Sequence, residues 1–286
     1  MSTNPCPSCG KTESKEWGSK NDYNMVSCAS CGLIFVSPMP AETPAIYDET
    51  YFSGGDGHGY VNYDRDKEPM RRAFELYLKH MEKTLGRKGK LLDVGSATGY
   101  FMNIAKSLGW EVEGVEISDH AASMGRSKGL IIHTGILENV KLEEKSFDAI
   151  TLFDVAEHLR DPKTTLLEVS RLLKDGGIIV VTTPDSGSLW ARILKHRWHL
   201  VIPPEHLVLF NRKNFGYLLG HTGFKSPAIV TTIGKHFTVP YIFQTLFNWQ
   251  GLSIWNSLAK MTDKGFFSKL KFPINLHDTF FMIAKK

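Results

Sequence analysis

The chain has 286 residues, 42% of them hydrophobic, enough for two domains or for one large domain with appendages. Its 34 basic and 30 acidic residues are interspersed and leave a net charge of only +4, which argues against a nucleic-acid-binding surface. No uncharged apolar run approaches the ~20 residues that cross a bilayer, and the opening MSTNPCPSCG lacks a hydrophobic signal segment, so the expectation is a soluble cytoplasmic protein.

All 4 cysteines fall near the start, as Cys6-Pro-Ser-Cys9-Gly10 and Cys28-Ala-Ser-Cys31-Gly32. Two C-x-x-C pairs, each followed by a glycine that lets the backbone turn, fit a closed tetrahedral zinc site better than two disulfides. Residues 1–40 are therefore expected to form a zinc ribbon with Cys6, Cys9, Cys28 and Cys31 as structural ligands. Four thiolates leave no position for a reacting water. Residues 11–27 mix lysines with acids and present no basic face.

Residues 41–286 are expected to form the second domain. Pro38, Pro40 and Pro44 mark the exit from the ribbon. Tyr47, Tyr51, Phe52, Tyr60 and Tyr63 then surround a glycine-rich loop over 53–59, suited to a lid, and 41–86 would supply that lid and its helix. Ala73, Phe74, Tyr77, Leu78 and Met81 share one face of a helix predicted from about Glu68 to Leu85.

Leu91-Leu92-Asp93-Val94-Gly95-Ser96-Ala97-Thr98-Gly99 reads as a buried strand entering a tight turn, with a helix starting at Tyr100. This is the ligand corner of a doubly wound α/β fold, where Gly95, Ala97 and Gly99 allow close backbone approach. The spacing departs from G-x-G-x-x-G, and a carboxylate at Asp93 would repel a pyrophosphate but attract an ammonium or sulfonium. Glu116 ends the next strand, about twenty residues past Gly95, where an acid can accept ribose hydroxyls.

A helix is expected over 118–128 and a third strand over 130–133. The fourth strand, Phe147 to Phe153, ends at the topological switch point and delivers Phe153 and Asp154 to the cofactor side. Asp154, Glu157 and His158, at i, i+3 and i+4, would share one side of a helical turn. Three roles compete there: a Mg2+ site, a general base at His158, or a loop held by hydrogen bonds. His206, in Pro203-Pro204-Glu205-His206-Leu207, is the alternative base. Asp161-Pro162 starts a helix, and Asp175-Gly176-Gly177 turns into a fifth strand over 178–183. Strand six is expected near 228–232 and strand seven over 278–284. The insertion between them, 234–274, is rich in Phe, Trp, Leu and Lys, and reads as a helical hydrophobic cap or dimer face rather than a membrane-surface segment.

The motifs LLDVGSATGYF, EVEGVEIS, SFDAITLFDVAEHLRDP, LLKDGGIIVVTTPD and PPEHLVLFN, in this order across roughly residues 85–235, resemble the class I S-adenosylmethionine-dependent methyltransferases. The likeness is to the small-molecule and ubiquinone-pathway O-methyltransferase branch that carries Glu-His after strand four. It implies a Rossmann-like seven-stranded sheet with an antiparallel last strand, and a lid folding over the cofactor. It also implies adenine recognition near Ile136, with Ile117 and Leu137 sandwiching the base, although many relatives place an acid where this chain has Ile136. The Mg2+ option follows from the same likeness. The Asn-Pro-Pro-Tyr pattern of nucleobase or glutamine N-methylation is absent after strand four, which favours oxygen or carbon acceptors.

The resulting expectation is methyl transfer from S-adenosylmethionine to a small-molecule hydroxyl, on a sugar, polysaccharide precursor, natural product or lipid-linked acceptor. An rRNA methyltransferase holding RNA with the ribbon, and a non-catalytic scaffold, are the rival readings.

Overall fold

The computed structural model describes residues 4–40, 64, 67–230, 235–250, 252–263, 266–267, 270–274 and 276–286. The expected tyrosine-flanked lid over 41–63 lies outside the described residues, as do Thr231 and Thr232 of the expected strand six.

The chain opens with a hairpin of β1 (Ser14–Lys20) and β2 (Tyr23–Cys28), joined at Asn21-Asp22, both left-handed with φ of 50° and 63°. Two consecutive left-handed residues give the type I′ geometry that matches strand twist. β3 (Ile34–Val36) adds antiparallel to β2. The helix expected from about Glu68 begins as a single 3-10 turn, Glu68–Met70, and continues as α1 (Arg71–Leu85), burying Ala73, Phe74, Tyr77, Leu78 and Met81 as predicted. Gly86 closes it in the left-handed conformation.

The central sheet uses β4 (Lys90–Val94), β5 (Glu111–Glu116), β6 (Ile131–Thr134), β7 (Phe147–Phe153) and β8 (Leu173–Pro184), followed by β10 (Lys225–Val230) and β13 (Thr279–Lys285). Its order is β10-β13-β8-β7-β4-β5-β6. Neighbours from β8 to β6 run parallel, whereas β13 is antiparallel to β8 and β10 is antiparallel to β13. This is the expected Rossmann-like seven-stranded sheet. Because β4 lies between β5 and β7, the chain reverses its winding there, and a crevice opens at the carboxyl ends of β4 and β7.

The helices α2 (Tyr100–Ser107), α3 (Asp119–Ser127) and α4 (Pro162–Leu172) follow the expected order, and α5 (Leu189–Leu194) and α6 (Arg212–His221) come after the fifth core strand. Asp161 caps α4 by accepting from Thr164 N at 3.0 Å, with Pro162 at the first helical position. Asn211 and Asn214 form a reciprocal capping box on α6. The fifth core strand starts earlier than predicted, at Leu173, because the glycine pair is absorbed into the strand: Phe147 pairs with Leu173, and a register shift precedes Ala149↔Ile178.

The insertion forms a helical hairpin, α7 (Val239–Gln250) and α8 (Ser253–Thr262), between β11 (Lys235–Thr238) and β12 (Lys271–Ile274), which pair with each other. Ile254 and Met261 of α8 and Leu252, Phe266 and Phe267 flanking it are exposed. Among the described residues no helix is long and apolar enough to cross a membrane.

One hydrophobic cluster unites α1, α2 and one face of the sheet. The other unites the opposite face, α4 and α6 with Cys6, Met25, Cys28, Leu33, Phe35 and Val36. The cysteine-bearing segment is thus part of a main core. Its sheet is completed from far along the chain by β9 (Val208–Leu209), so residues 1–40 do not close a sheet by themselves. Phe35 is fully buried in this shared core. Phe35→Ala should therefore destabilise the whole protein by about 3–5 kcal/mol, read as a lower midpoint in urea unfolding; a change under about 0.5 kcal/mol, the size of a surface substitution, would mean that the first forty residues hang loosely.

Candidate active site

The turn after β4 is shaped by three left-handed residues, Gly95 (φ 73°), Ala97 (φ 48°) and Gly99 (φ 76°). A side chain at Gly95 would meet Val155 Cγ2 at 2.5 Å, and one at Gly99 would meet Leu130 Cδ1 at 2.2 Å. Gly95 N and Ser96 N both donate to Val115 O, at 2.8 and 3.1 Å, while Ala97 N donates to Glu116 Oε2 at 2.8 Å. The loop amides expected to face a ligand are thus turned towards the end of β5. Glu116 is buried, and its second oxygen accepts from Ser118 N at 2.9 Å. Burial raises its pKa against the opposing pull of these amides.

Asp93 is also buried. Its register partner on β7 is Thr151, whose Oγ1 donates to Asp93 Oδ1 at 2.7 Å. Burial, reinforced by the neighbouring charge of Glu116 and opposed by the Thr151 bond, pushes the Asp93 pKa up to about 7.

Asp93 lines a cleft that opens to solvent. Gly95, Phe153 and Asp154 line it, together with Lys67, Phe74, Tyr77, Tyr100 and Thr182, which sequence reasoning had not assigned to a site. The rings of Phe74, Tyr77 and Phe101 surround Phe153, with centroids 5.9, 5.3 and 4.9 Å from it. The core-face pattern of α1 had marked Phe74 and Tyr77 as buried, but not that they face a ligand crevice. Ala97, Gly99, Glu116, Ile117, Ile136 and Leu137 fall outside this lining. Ile117 and Ile136 are exposed, whereas Leu137 is buried in the core.

Asp154, Glu157 and His158 do not share a helical turn. Asp154 is left-handed (φ 55°), and the turn after it is a single 3-10 turn, Ala156–His158, which breaks the i, i+3, i+4 geometry. Thr182 Oγ1 donates to Asp154 Oδ1 at 2.9 Å, and Thr183 Oγ1 donates to the buried Glu157 Oε2 at 2.8 Å. Among the described residues Asp154, Glu157 and His158 are therefore not gathered as the Mg2+ site that was one of the three competing roles. The described residues instead bring Glu157, His158 and His206 together, with ligand-type atoms within 4.8 Å of one another. Two imidazoles and one carboxylate suit a transition metal rather than Mg2+, which prefers oxygen ligands.

His158 and His206 meet edge to face, with ring centroids 4.8 Å apart. Each Nδ1 lies 2.7 Å from a backbone carbonyl, Glu205 O for His158 and Leu200 O for His206. A carbonyl only accepts, so Nδ1 carries the proton in both neutral rings and Nε2 is the basic nitrogen. Burial, together with the neighbouring His158, lowers the His206 pKa to about 3. Burial also lowers His158, but the Glu205 carbonyl and the charge of Asp154 pull it back up. His158 is half-buried and adjoins cleft-lining Asp154, whereas His206 is buried.

The four cysteines also gather. Cys6 Sγ lies 3.6 Å from Cys31 Sγ, and Cys9 Sγ lies 3.6 Å from Cys28 Sγ, with none bridged. The two halves repeat one turn: Gly10 N donates to Cys6 O and Gly32 N to Cys28 O, both glycines having φ of 72°.

A family model for a methyltransferase domain matches residues 63–227, more than half of the chain. An uncharacterised protein of Methanocaldococcus jannaschii is 26% identical over 173 residues, covering 60% of this chain and 80% of its own length. A ubiquinone biosynthesis O-methyltransferase of Xanthomonas oryzae pv. oryzae is 27% identical over 42% of this chain and 54% of its own, and a demethylmenaquinone methyltransferase of Staphylococcus aureus is 33% identical over 37% and 48%. The chain thus spans about half the length of these two enzymes. In fold it is similar to a S-adenosylmethionine-dependent methyltransferase from Thermotoga maritima, described as a possible histamine N-methyltransferase (TM-score 0.53, 23% identity, covering 78% of this chain and 94% of that one). It is also similar to phosphoethanolamine N-methyltransferase 2 of Haemonchus contortus in complex with S-adenosylmethionine (TM-score 0.54, 16% identity, 82% and 59%). With the sheet order, the crevice beside β4 and this family match together, the chain belongs to the methyltransferase-domain family, among the class I S-adenosylmethionine-dependent methyltransferases.

Proposed function

We propose that the protein transfers the methyl group of S-adenosylmethionine to a hydroxyl of a small-molecule acceptor, with His158 accepting the hydroxyl proton. One observation carries this reading: a half-buried imidazole, its tautomer fixed by Glu205 O, stands next to cleft-lining Asp154 at the carboxyl ends of β7 and β8. The cofactor supplies an activated methyl group when bound, so the chain must align acceptor and cofactor, exclude water and remove a proton.

Asp93 would attract the cationic methionine end, and the aromatic wall around Phe153 favours a sulfonium over water. Glu116 would hold the ribose by turning one oxygen from the loop amides to its hydroxyls, while Ile117 and the Ile136–Leu137 backbone border the adenine. His206, buried and with its pKa near 3, is a weak base and serves better as the wall against which His158 is oriented. The acceptor class we favour is a sugar, polysaccharide precursor or natural product. The rRNA reading has less support, because the buried side of the cysteine module faces 207–210 and its hairpin is not basic.

Cys6, Cys9, Cys28 and Cys31 fit a structural zinc ion. A tetrahedron with Zn–S bonds of ~2.3 Å has edges of roughly 3.8 Å, close to the 3.6 Å separations here. The hydrogen bond with Cys31 and burial push the Cys6 thiol well above its ordinary pKa, so a cation is needed to hold these sulfurs as thiolates. Such a site suits a reducing, cytoplasmic compartment. Residues 1–40 would form this module and 41–286 the transfer domain, with β9 joining them.

Incubation with radiolabelled S-adenosylmethionine and a panel of hydroxylated acceptors tests the function; label transferred only to amines or to RNA would reject it. His158→Gln should lower kcat by roughly 10²–10⁴-fold with cofactor affinity unchanged, and full turnover by that variant would remove the base assignment. Asp93 adds a pH signature. Its folded pKa exceeds the unfolded value, so the free protein loses stability as pH rises from about 4 towards 7. Affinity for the cationic cofactor should grow over the same rise, centred near 7, as Asp93 ionises. Calorimetry from pH 5.5 to 8 checks this: Asp93→Asn should flatten the profile, and an unchanged profile in the variant would contradict the assignment.

A further inference from the structure

The small sheet that begins beside the cysteines ends in the segment that carries His206. β9 lies at its edge, with β3 as its neighbour, paired through Ile34↔Leu209 and Phe35↔Val208. Val36 N donates to Leu207 O at 2.9 Å, and Leu207 N donates in turn to Glu157 O at 2.8 Å. A single residue is therefore clamped between the cysteine module and the turn that bears His158. The residues before it are held from the same side: Asn21 Nδ2 donates to Pro203 O at 2.8 Å, and Lys20 Nζ to Trp198 O at 3.4 Å. Between these anchors lie the carbonyls of Leu200 and Glu205, which fix the two imidazoles.

We propose that the four-cysteine module is a positioning element for the His158–His206 pair, with Asn21 and Val36 as positioning residues that act through segment 203–209. This rests on the reading of His158 as proton acceptor, but the coupling is a property of the backbone and is measurable without an acceptor. The physical reason is that the metal would fix the two cysteine turns that frame β2 and β3, in addition to the apolar packing of these strands on the shared core. A two-residue strand such as β9 cannot persist without a partner. Losing the metal loosens the β3–β9 pairing and with it the orientation of the carbonyls on which both rings depend, while Phe35 and its neighbours stay packed in the shared core. The cofactor end hangs on a different set of bonds, from the β4 loop to Val115 and Glu116, and should survive. Metal status therefore gates proton removal and leaves cofactor binding in place.

The test compares zinc-loaded and chelator-stripped full-length protein by hydrogen exchange, with S-adenosylhomocysteine affinity measured by calorimetry on both. Stripping should speed exchange at Leu207–Leu209 by at least ~10-fold while Leu91–Val94 stays protected and affinity changes by less than about 2-fold. If 23–28 loosens but 207–209 keeps its protection, the coupling is refuted. If 91–94 and the affinity collapse as well, the module is a general stabiliser and the proposal also fails. Absence of cofactor binding in the loaded protein would count against the methyltransferase reading alone, because exchange reads the coupling directly. Asn21→Ala, with zinc content verified, provides a milder variant: the His206 Nδ1–H resonance should shift or broaden, and an unchanged resonance would contradict a positioning role for Asn21.

Discussion

Two buried carboxylates at the carboxyl ends of adjacent strands organise this molecule. Asp93 is the penultimate residue of β4 and Glu116 ends β5, and burial raises the pKa of both. Their mutual repulsion adds to the rise at Asp93. Carboxylates this far from water need hydrogen-bond donors or a cation. Glu116 takes two backbone amides and so shapes the glycine turn, whereas Asp93 has the hydroxyl of Thr151. A ligand with positive charge and vicinal hydroxyls would satisfy both, and the aromatic wall beside them offers the matching surface.

The acceptor side is built by a different principle. Its groups are held by backbone carbonyls and amides rather than by ion pairs, in a chain that runs from Val36 through Leu207 to Glu157, with the two imidazoles fixed on either side. The carbonyls fix the tautomers, and burial lowers the pKa of both rings, helped at His206 by the neighbouring His158 and opposed at each ring by its carbonyl. In the proposed reaction, cofactor capture and proton removal would thus depend on separate parts of the fold that meet at Asp154.

Much of this was legible in the sequence because the signals were local. Leu91, Leu92 and Val94 of β4, the glycine turn, the acid at Glu116 and the face of α1 follow from local strand, turn and helix patterns, and the C-x-x-C pairs brought the cysteines together as expected. The misses were long-range or conformational. The pairing of Ile34 with Leu209 leaves no local trace, because Leu207-Val208-Leu209-Phe210 is apolar throughout and carries no period. The left-handed Asp154 defeated a helical reading of Glu157 and His158, since residues other than glycine seldom adopt that conformation. Thr151 as the partner of Asp93 depends on strand register, which the spacing of residues within one strand does not reveal.

The most direct test of the central claim is a crystal structure of the full chain grown with S-adenosylhomocysteine. The nucleoside is expected in the crevice at the ends of β4 and β5, with its ribose hydroxyls on Glu116, its amino group directed to Asp93 and its thioether over Phe153. An empty crevice under saturating ligand, or the ligand bound away from both acids, would contradict that claim.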